Sequence, residues 1–65
     1  MEKLLTVEEL SKILQVRQST VYKWVHYQYI PHVKIGSLVR FRSAKIERWI
    51  EQRAKKGRKT YKLYP

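Results

Sequence analysis

V-R-Q-S-T-V-Y-K-W-V-H-Y-Q, residues Val16 to Gln28, is the stretch on which the reading of this chain turns. Wound as a helix, it has two unlike faces. Val21, Trp24, Val25 and Gln28 recur at i, i+3, i+4 and i+7, the spacing of one mainly apolar stripe. Opposite lie Ser19, Lys23 and His26, flanked by Gln18 and Tyr22, and this second face has no acid. Hydroxyls, an amide, a phenol and a cation are groups that contact both phosphates and base edges in a major groove. A solvated surface helix carries similar groups, so the flanking sequence must decide.

Upstream, Thr6 and Glu9 stand at the T-x-x-E spacing of a capping box, with Leu5 and Leu10 spaced as a hydrophobic staple. Glu8 and Glu9 suit the positive end of a helix dipole. A first helix is expected from Val7 to Leu14, with Val7, Leu10, Ile13 and Leu14 as its core face. Only Gln15, Val16 and Arg17 then separate it from the second helix, which is the spacing of a helix-turn-helix. Val16 should plug the angle between the helices. The turn has no glycine, so Gln15 closes the first helix at some cost in strain. Arg17 or Gln18 falls in the N-cap region of the second helix, and neither caps well. Ser19 offers a start two residues later.

Downstream, Pro31 sets the limit of the second helix. H-V-K-I, G-S and L-V-R-F-R then read as two short strands around Gly36-Ser37, with Gly36 where a type II′ turn requires it. Val33 and Ile35 are expected to face one way with Val39 and Phe41 as partners, leaving His32, Lys34, Arg40 and Arg42 on the other side. A lone hairpin is marginal in water, so its apolar side must dock on the helices. Ser43 is the next N-cap candidate, opening a helix from Ala44 to about Lys56 in which Ile46, Trp49 and Ile50 close the core and Gly57 is the stop. Residues 1–53 are thus read as one domain. Residues 54–65 are a basic extension, the end of the last helix and then a tail without core pattern, mobile until bound. The fold class is mainly α with a small β-hairpin: helix-turn-helix, two-stranded wing and C-terminal helix.

Charge points to the partner. Fifteen Lys and Arg oppose five acids, for a net charge of +10. All five acids are Glu, at positions 2, 8, 9, 47 and 51, so none lies between Leu10 and Ile46 or after Glu51. Such a balance implies a polyanion, either nucleic acid or an anionic membrane surface. No run approaches the ~20 apolar residues of a membrane span, and the last helix needs its apolar face for the core, so no membrane partner is expected. Leu4-Leu5 is too short an apolar run for a signal peptide, which makes a cytoplasmic, nucleoid-associated protein the expectation. With no Cys and no Asp, His26 and His32 have no companions for a metal site, and no cofactor or small-molecule substrate is expected. No Ser-His-acid set, paired carboxylates or phosphate-cradling glycine loop suggests an enzyme. Trp24 and Trp49 resemble the stacking platforms of single-strand binders only in type. Their helical phase puts both on apolar stripes. An RNA- or ribosome-binding basic protein is the alternative reading.

L-L-T-V-E-E-L-S-K-I-L, V-R-Q-S-T-V-Y-K-W-V, I-P-H-V-K-I-G-S-L-V-R-F-R and I-E-R-W-I together resemble the excisionase-type DNA-binding domain, a minimal branch of the MerR-like winged helix-turn-helix superfamily. The resemblance covers about Leu4 to Glu51. It matches L-T-x-E-E at Leu5, Thr6, Glu8 and Glu9, S-T-V-Y at Ser19 to Tyr22, and the wing pattern at Ile30, Pro31, Lys34, Gly36, Arg40 and Phe41. The turn departs from the family's G-V-S, and Lys23 stands where Arg is common, which weakens bidentate contact there.

The resemblance implies double-stranded DNA as partner, with the second helix in the major groove and the wing over the adjacent backbone or minor groove. The chemistry of the residues distributes the same roles. Gln18, Ser19 and Lys23 are the base-edge candidates, since Gln suits adenine and Lys suits guanine acceptors. Arg17, Thr20, Tyr22 and His26 are placed to bond phosphates. Lys34, Ser37, Arg40 and Arg42 are the wing contacts, and Lys55, Lys56, Arg58, Lys59 and Lys62 add nonspecific ones from the extension. An integrase or recombinase, or further copies of the chain on adjacent sites, are the protein partners such a domain calls for.

Overall fold

The computed structural model describes residues 3–57, with side chains from 3 to 54. The order is β1 (Leu4–Leu5), α1 (Val7–Leu14), α2 (Gln18–His26), β2 (Val33–Ile35), β3 (Leu38–Arg42) and α3 (Ser43–Gly57). α1 takes the expected residues, and both halves of its capping box are made. The Glu9 N–H donates to Thr6 Oγ1 at 3.1 Å, and the Thr6 N–H donates to Glu9 Oε1 at 3.0 Å. Its buried stripe differs from the expected one. Ile13 is 58% exposed, whereas Ser11 is buried. Val7, Leu10, Ser11 and Leu14 are the i, i+3, i+4, i+7 set, and Ile13 falls off its edge. A serine is tolerated there because its hydroxyl donates to the Glu8 carbonyl at 2.8 Å, within its own helix.

Both helices of the pair end without glycine. Gln15 closes α1 in the left-handed region, at φ 58°, ψ 46°. The Gln15 N–H bonds the Lys12 carbonyl at 3.3 Å and the Val16 N–H bonds the Ser11 carbonyl at 3.0 Å, the paired bonds of a Schellman closure. After α2 the same pattern recurs, with Gln28 at φ 60°. The Gln28 N–H bonds the Val25 carbonyl at 3.0 Å and the Tyr29 N–H bonds the Trp24 carbonyl at 2.8 Å. This left-handed turn ends the helix at His26, well before Pro31, and leaves Gln28 exposed rather than on the apolar stripe. The redirected chain then buries Ile30 to 2% exposure.

The sheet has three antiparallel strands in the order β1-β3-β2. β1 was no part of the expected fold: Leu4 and Leu5 read as a lead-in, but they pair with Arg42 and Phe41. Two residues are too few to show alternation, so only the partner strand reveals them. The hairpin turns at Gly36, φ +63°, as a type II′ loop demands. Its faces do not sort as expected. Register pairs Val33 with Arg40, Lys34 with Val39 and Ile35 with Leu38. Opposed residues share a face, so Val33 and Ile35 lie with Leu38, Arg40 and Arg42, while Lys34 lies with Val39 and Phe41. A two-residue loop sets odd positions of β2 opposite even positions of β3, which forbids the expected grouping.

Phe41, fully buried, is central to a core formed by Val7, Leu10, Val21, Val25, Ile30 and Ile46. Leu5, Leu14, Val16, Trp24, Val39 and Trp49 pack against it, half-buried. α3 follows β3 without a loop and delivers Ile46 to the core. Ile50, expected there too, is 39% exposed. Beyond Ile46 it is Trp49 that joins α3 to the body, through its ring contacts with Trp24 and Tyr29. The helix extends through Gly57, the expected stop, and the tail from Arg58 lies outside the described residues.

Candidate nucleic-acid interface

α2 is pinned by Val21 and Val25, both buried, and this orients everything else on it. Ser19, Lys23 and His26 are exposed on the opposite side and Tyr22 on its flank. Gln18 is exposed too, one turn ahead of Val21 on the same stripe, and Thr20 is half-buried at the margin. Arg17 occupies the N-cap with an extended backbone and makes no side-chain cap bond, and no acid lies in the first turn. The start of α2 therefore presents a cation, uncapped N–H groups and the positive end of the helix dipole to solvent.

The hairpin stands beside this helix. A cleft of about 370 Å³ is lined by Gln18 and Tyr22 from α2, by Ser37, Leu38 and Arg40 from the hairpin, and by the first turn of α1. Two groups of predicted contact residues, distant in sequence, thus border one groove. Arg40 is half-buried and its Nη1 donates to the Val39 carbonyl at 2.8 Å, which braces the side chain along the strand. Arg42 and Lys34 are exposed on opposite faces, so Lys34 does not join the arginines. His26 lies at the far end of α2, with its ring 5.3 Å from that of Tyr27 in an edge-on contact. His32 is held apart from it, its Nδ1–H donating to the Ile30 carbonyl at 2.9 Å. The side chains of Lys55 and Lys56, and all of Arg58, Lys59 and Lys62, lie outside the described residues.

One acid, Glu8, lines the α1 side of this cleft, and both acids of α1 are paired with lysines. Glu8 pairs with Lys12 at 3.6 Å, and Glu9 with Lys3 at 3.3 Å. The Glu9 carboxyl titrates below its ordinary value, first because the Thr6 backbone N–H bonds it and second because of Lys3. The other described acids, Glu47 and Glu51, belong to α3.

One cluster escaped the sequence reading. Trp24, Tyr29 and Trp49 meet with centroids 5.6 to 5.9 Å apart. The Arg53 guanidinium lies 4.5 Å from the Trp49 ring and 4.7 Å from the Tyr29 ring. Trp49 Nε1–H donates to the Tyr29 carbonyl and Arg53 Nε–H to the Tyr29 hydroxyl, each at 3.1 Å. The i, i+4 spacing of Trp49 and Arg53 was a usable signal, but the role of Tyr29 depends on the turn at Gln28. Trp24 and Trp49 are thus packing residues with one edge in solvent. Among the described residues no group of three or more His, Asp or Glu is placed to hold a metal ion. No described helix is long and apolar enough to cross a membrane.

Two helices joined by three residues, a basic acid-free second helix and a docked hairpin define a helix-turn-helix DNA-binding domain. Residues 4–54 match the helix-turn-helix domain family, and the chain belongs to it. No curated protein and no solved structure gives a significant match.

Proposed function

We propose that this chain is a winged helix-turn-helix of the excisionase type, within the MerR-like superfamily, that binds double-stranded DNA sequence-specifically. α2 enters the major groove, and the β2–β3 hairpin serves as the wing over the adjacent backbone or minor groove. The observation that carries this reading is the exposed, acid-free face of α2 beside the cleft it shares with Ser37 and Arg40. Gln18, Ser19 and Lys23 read base edges. Arg17, Thr20, Tyr22 and His26 bond phosphates and fix register. Lys34, Ser37, Arg40 and Arg42 act from the wing, and the basic extension adds contacts blind to sequence.

One helix of nine residues reads few base pairs. A single copy therefore binds a lone site weakly. Copies on adjacent sites, or an integrase alongside, supply the rest by raising effective concentration. The biological task is that of a recombination directionality factor or a small transcriptional regulator, since one domain serves both.

The test titrates each variant against a cognate and a scrambled duplex at one salt concentration. Gln18→Ala and Lys23→Ala are expected to flatten the preference, by about 1–3 kcal/mol for a good base contact. Arg40→Ala is expected to weaken both duplexes about equally. If Arg40→Ala erased the preference while the α2 variants kept it, the wing would be the reader and the assignment of α2 would fail.

A further inference from the structure

The hairpin tip carries two large apolar side chains that the fold does not use. Ile35 and Leu38 face each other across the strands on either side of Gly36-Ser37, and they are 50% and 52% exposed. They lie on the outer face with Val33, Arg40 and Arg42, away from the side on which Val39 and Phe41 meet the core. Ile13 and Ile50 are exposed singly, whereas Ile35 and Leu38 form an adjacent pair at a turn, and it is the pairing that points to a contact outside the core.

Their surroundings indicate what covers them. The charged residues of the hairpin are all cations, Lys34, Arg40 and Arg42, and no acid occurs from Leu10 to Ile46. Among the described residues, Glu8 of α1, paired with Lys12, is the one acid on the cleft that Leu38 borders. An apolar tip on a hairpin whose charges are all cationic complements a surface with an apolar interior and an anionic rim. A DNA duplex has that pattern: stacked bases between two rows of phosphates. The turn itself is unobstructed. Gly36 has open space around the position of a Cβ, with nothing within 4 Å. A minor groove about 6 Å wide excludes the paired strands but can be met by the turn and the side chains that flank it. Leu38 borders the same cleft as Gln18 and Tyr22, so a duplex held by α2 passes beside the tip.

We infer that Ile35 and Leu38 form an apolar wedge that enters the minor groove next to the α2 contact, partly unstacks one base step and kinks the duplex there. Apolar side chains inserted between base steps bend DNA in this way. The inference rests on the DNA-binding reading above and adds to it the two side chains that act at the wing tip and a deformation. The two outer-face arginines hold the flanking phosphates while the tip presses on the bases. Sequence preference at the wedge comes from how readily a step opens, so a flexible pyrimidine–purine step is favoured without any base contact.

The test uses the full chain and a duplex selected from a random pool for binding to it. 2-Aminopurine is placed at successive positions across the footprint, and donor and acceptor dyes at the ends report bending. Wild type is expected to raise 2-aminopurine fluorescence severalfold at one step beside the α2 contact and to shorten the end-to-end distance. Ile35→Thr/Leu38→Thr, which keeps strand-forming residues at the turn or an acceptable neighbour to it, is expected to abolish both signals and to weaken binding about tenfold. Leu38→Phe, which keeps an apolar tip should the threonine variant fail to fold, is expected to retain them. Binding by wild type with no fluorescence change at any position overturns the wedge and leaves the DNA-binding reading intact. If the threonine variant loses only self-association, with both DNA signals unchanged, the tip is a protein contact and the wedge is likewise overturned. Recovery of no binding duplex overturns the DNA-binding reading itself, and the wedge with it.

Discussion

At the start of α1, Thr6 and Glu9 satisfy each other's backbone N–H groups, and two glutamates meet the positive end of the helix dipole. At the start of α2, Arg17 caps nothing with its side chain and no glutamate or aspartate follows. The two helices end alike, each on a left-handed glutamine, so the contrast is confined to their starts. An N-cap of Ser, Thr, Asn or Asp is worth about 1 kcal/mol, which α2 forgoes in a domain with little to spare. A helix satisfied at its own start behaves as scaffold. One left open, positive and exposed is prepared for an anion from outside, and a DNA phosphate is that anion under the proposed reading.

The broadest way to break this contrast is with salt. If the open cationic side neutralises about 6 phosphates, the logarithm of affinity should fall with the logarithm of salt at a slope of roughly −5. That amounts to roughly a thousandfold between 50 and 200 mM. Tight binding with a flat salt response would remove the electrostatic basis of the interface. A narrower variant gives α2 the kind of start that α1 has. Arg17→Asp supplies a cap and an acid at the dipole, so stability should rise by about 1 kcal/mol. Affinity for any duplex should drop about tenfold or more, because a cation facing phosphate has become an anion. Thermal melting and duplex titration read the two effects separately. A loss of both together would make Arg17 a structural residue and erase the distinction.

Legibility in the sequence followed the same divide between local and non-local causes. Thr6, Glu9, Leu5 and Leu10 lie within one turn of α1, so its start and extent were readable from spacing alone. Gln15 was readable as a strained closure because only three residues separate the helices. The hairpin's turn was readable from Gly36, yet its faces were not, because parity across the ladder depends on the register Ile35–Leu38. β1 exists only by pairing with β3, and Ile30 becomes core only through the left-handed turn at Gln28. The exposed residues of α2 were legible once Val21 and Val25 set its phase. Their gathering with Ser37 and Arg40 around one cleft was not, since it depends on how hairpin and helices dock.

The smallest expected effect lies at the well-capped start, and it has a definite sign. The Glu9 carboxyl titrates below its ordinary value of 4.5, held there by the Thr6 backbone N–H and by Lys3. A carboxyl lowered by folding contributes its full stabilisation above the unfolded value and loses it as pH falls through the lowered, folded value. Stability should therefore decline on acidification within and just below the ordinary carboxylate range. The size is modest, because Glu9 and Lys3 are well exposed to water. Glu9→Gln keeps an oxygen that can accept the Thr6 N–H but cannot ionise. It should lower stability slightly at neutral pH and flatten the acid decline. The start of α2 has no carboxyl to titrate, so Arg17→Ser, which restores a neutral cap there, should shift the melting curve equally at every pH. Melting wild type, Glu9→Gln and Arg17→Ser from neutral pH down to about pH 3 makes the comparison. An acid decline in Glu9→Gln as steep as in wild type would show that the pH response comes from another carboxyl, and that the capping box of α1 is not what the acid disrupts.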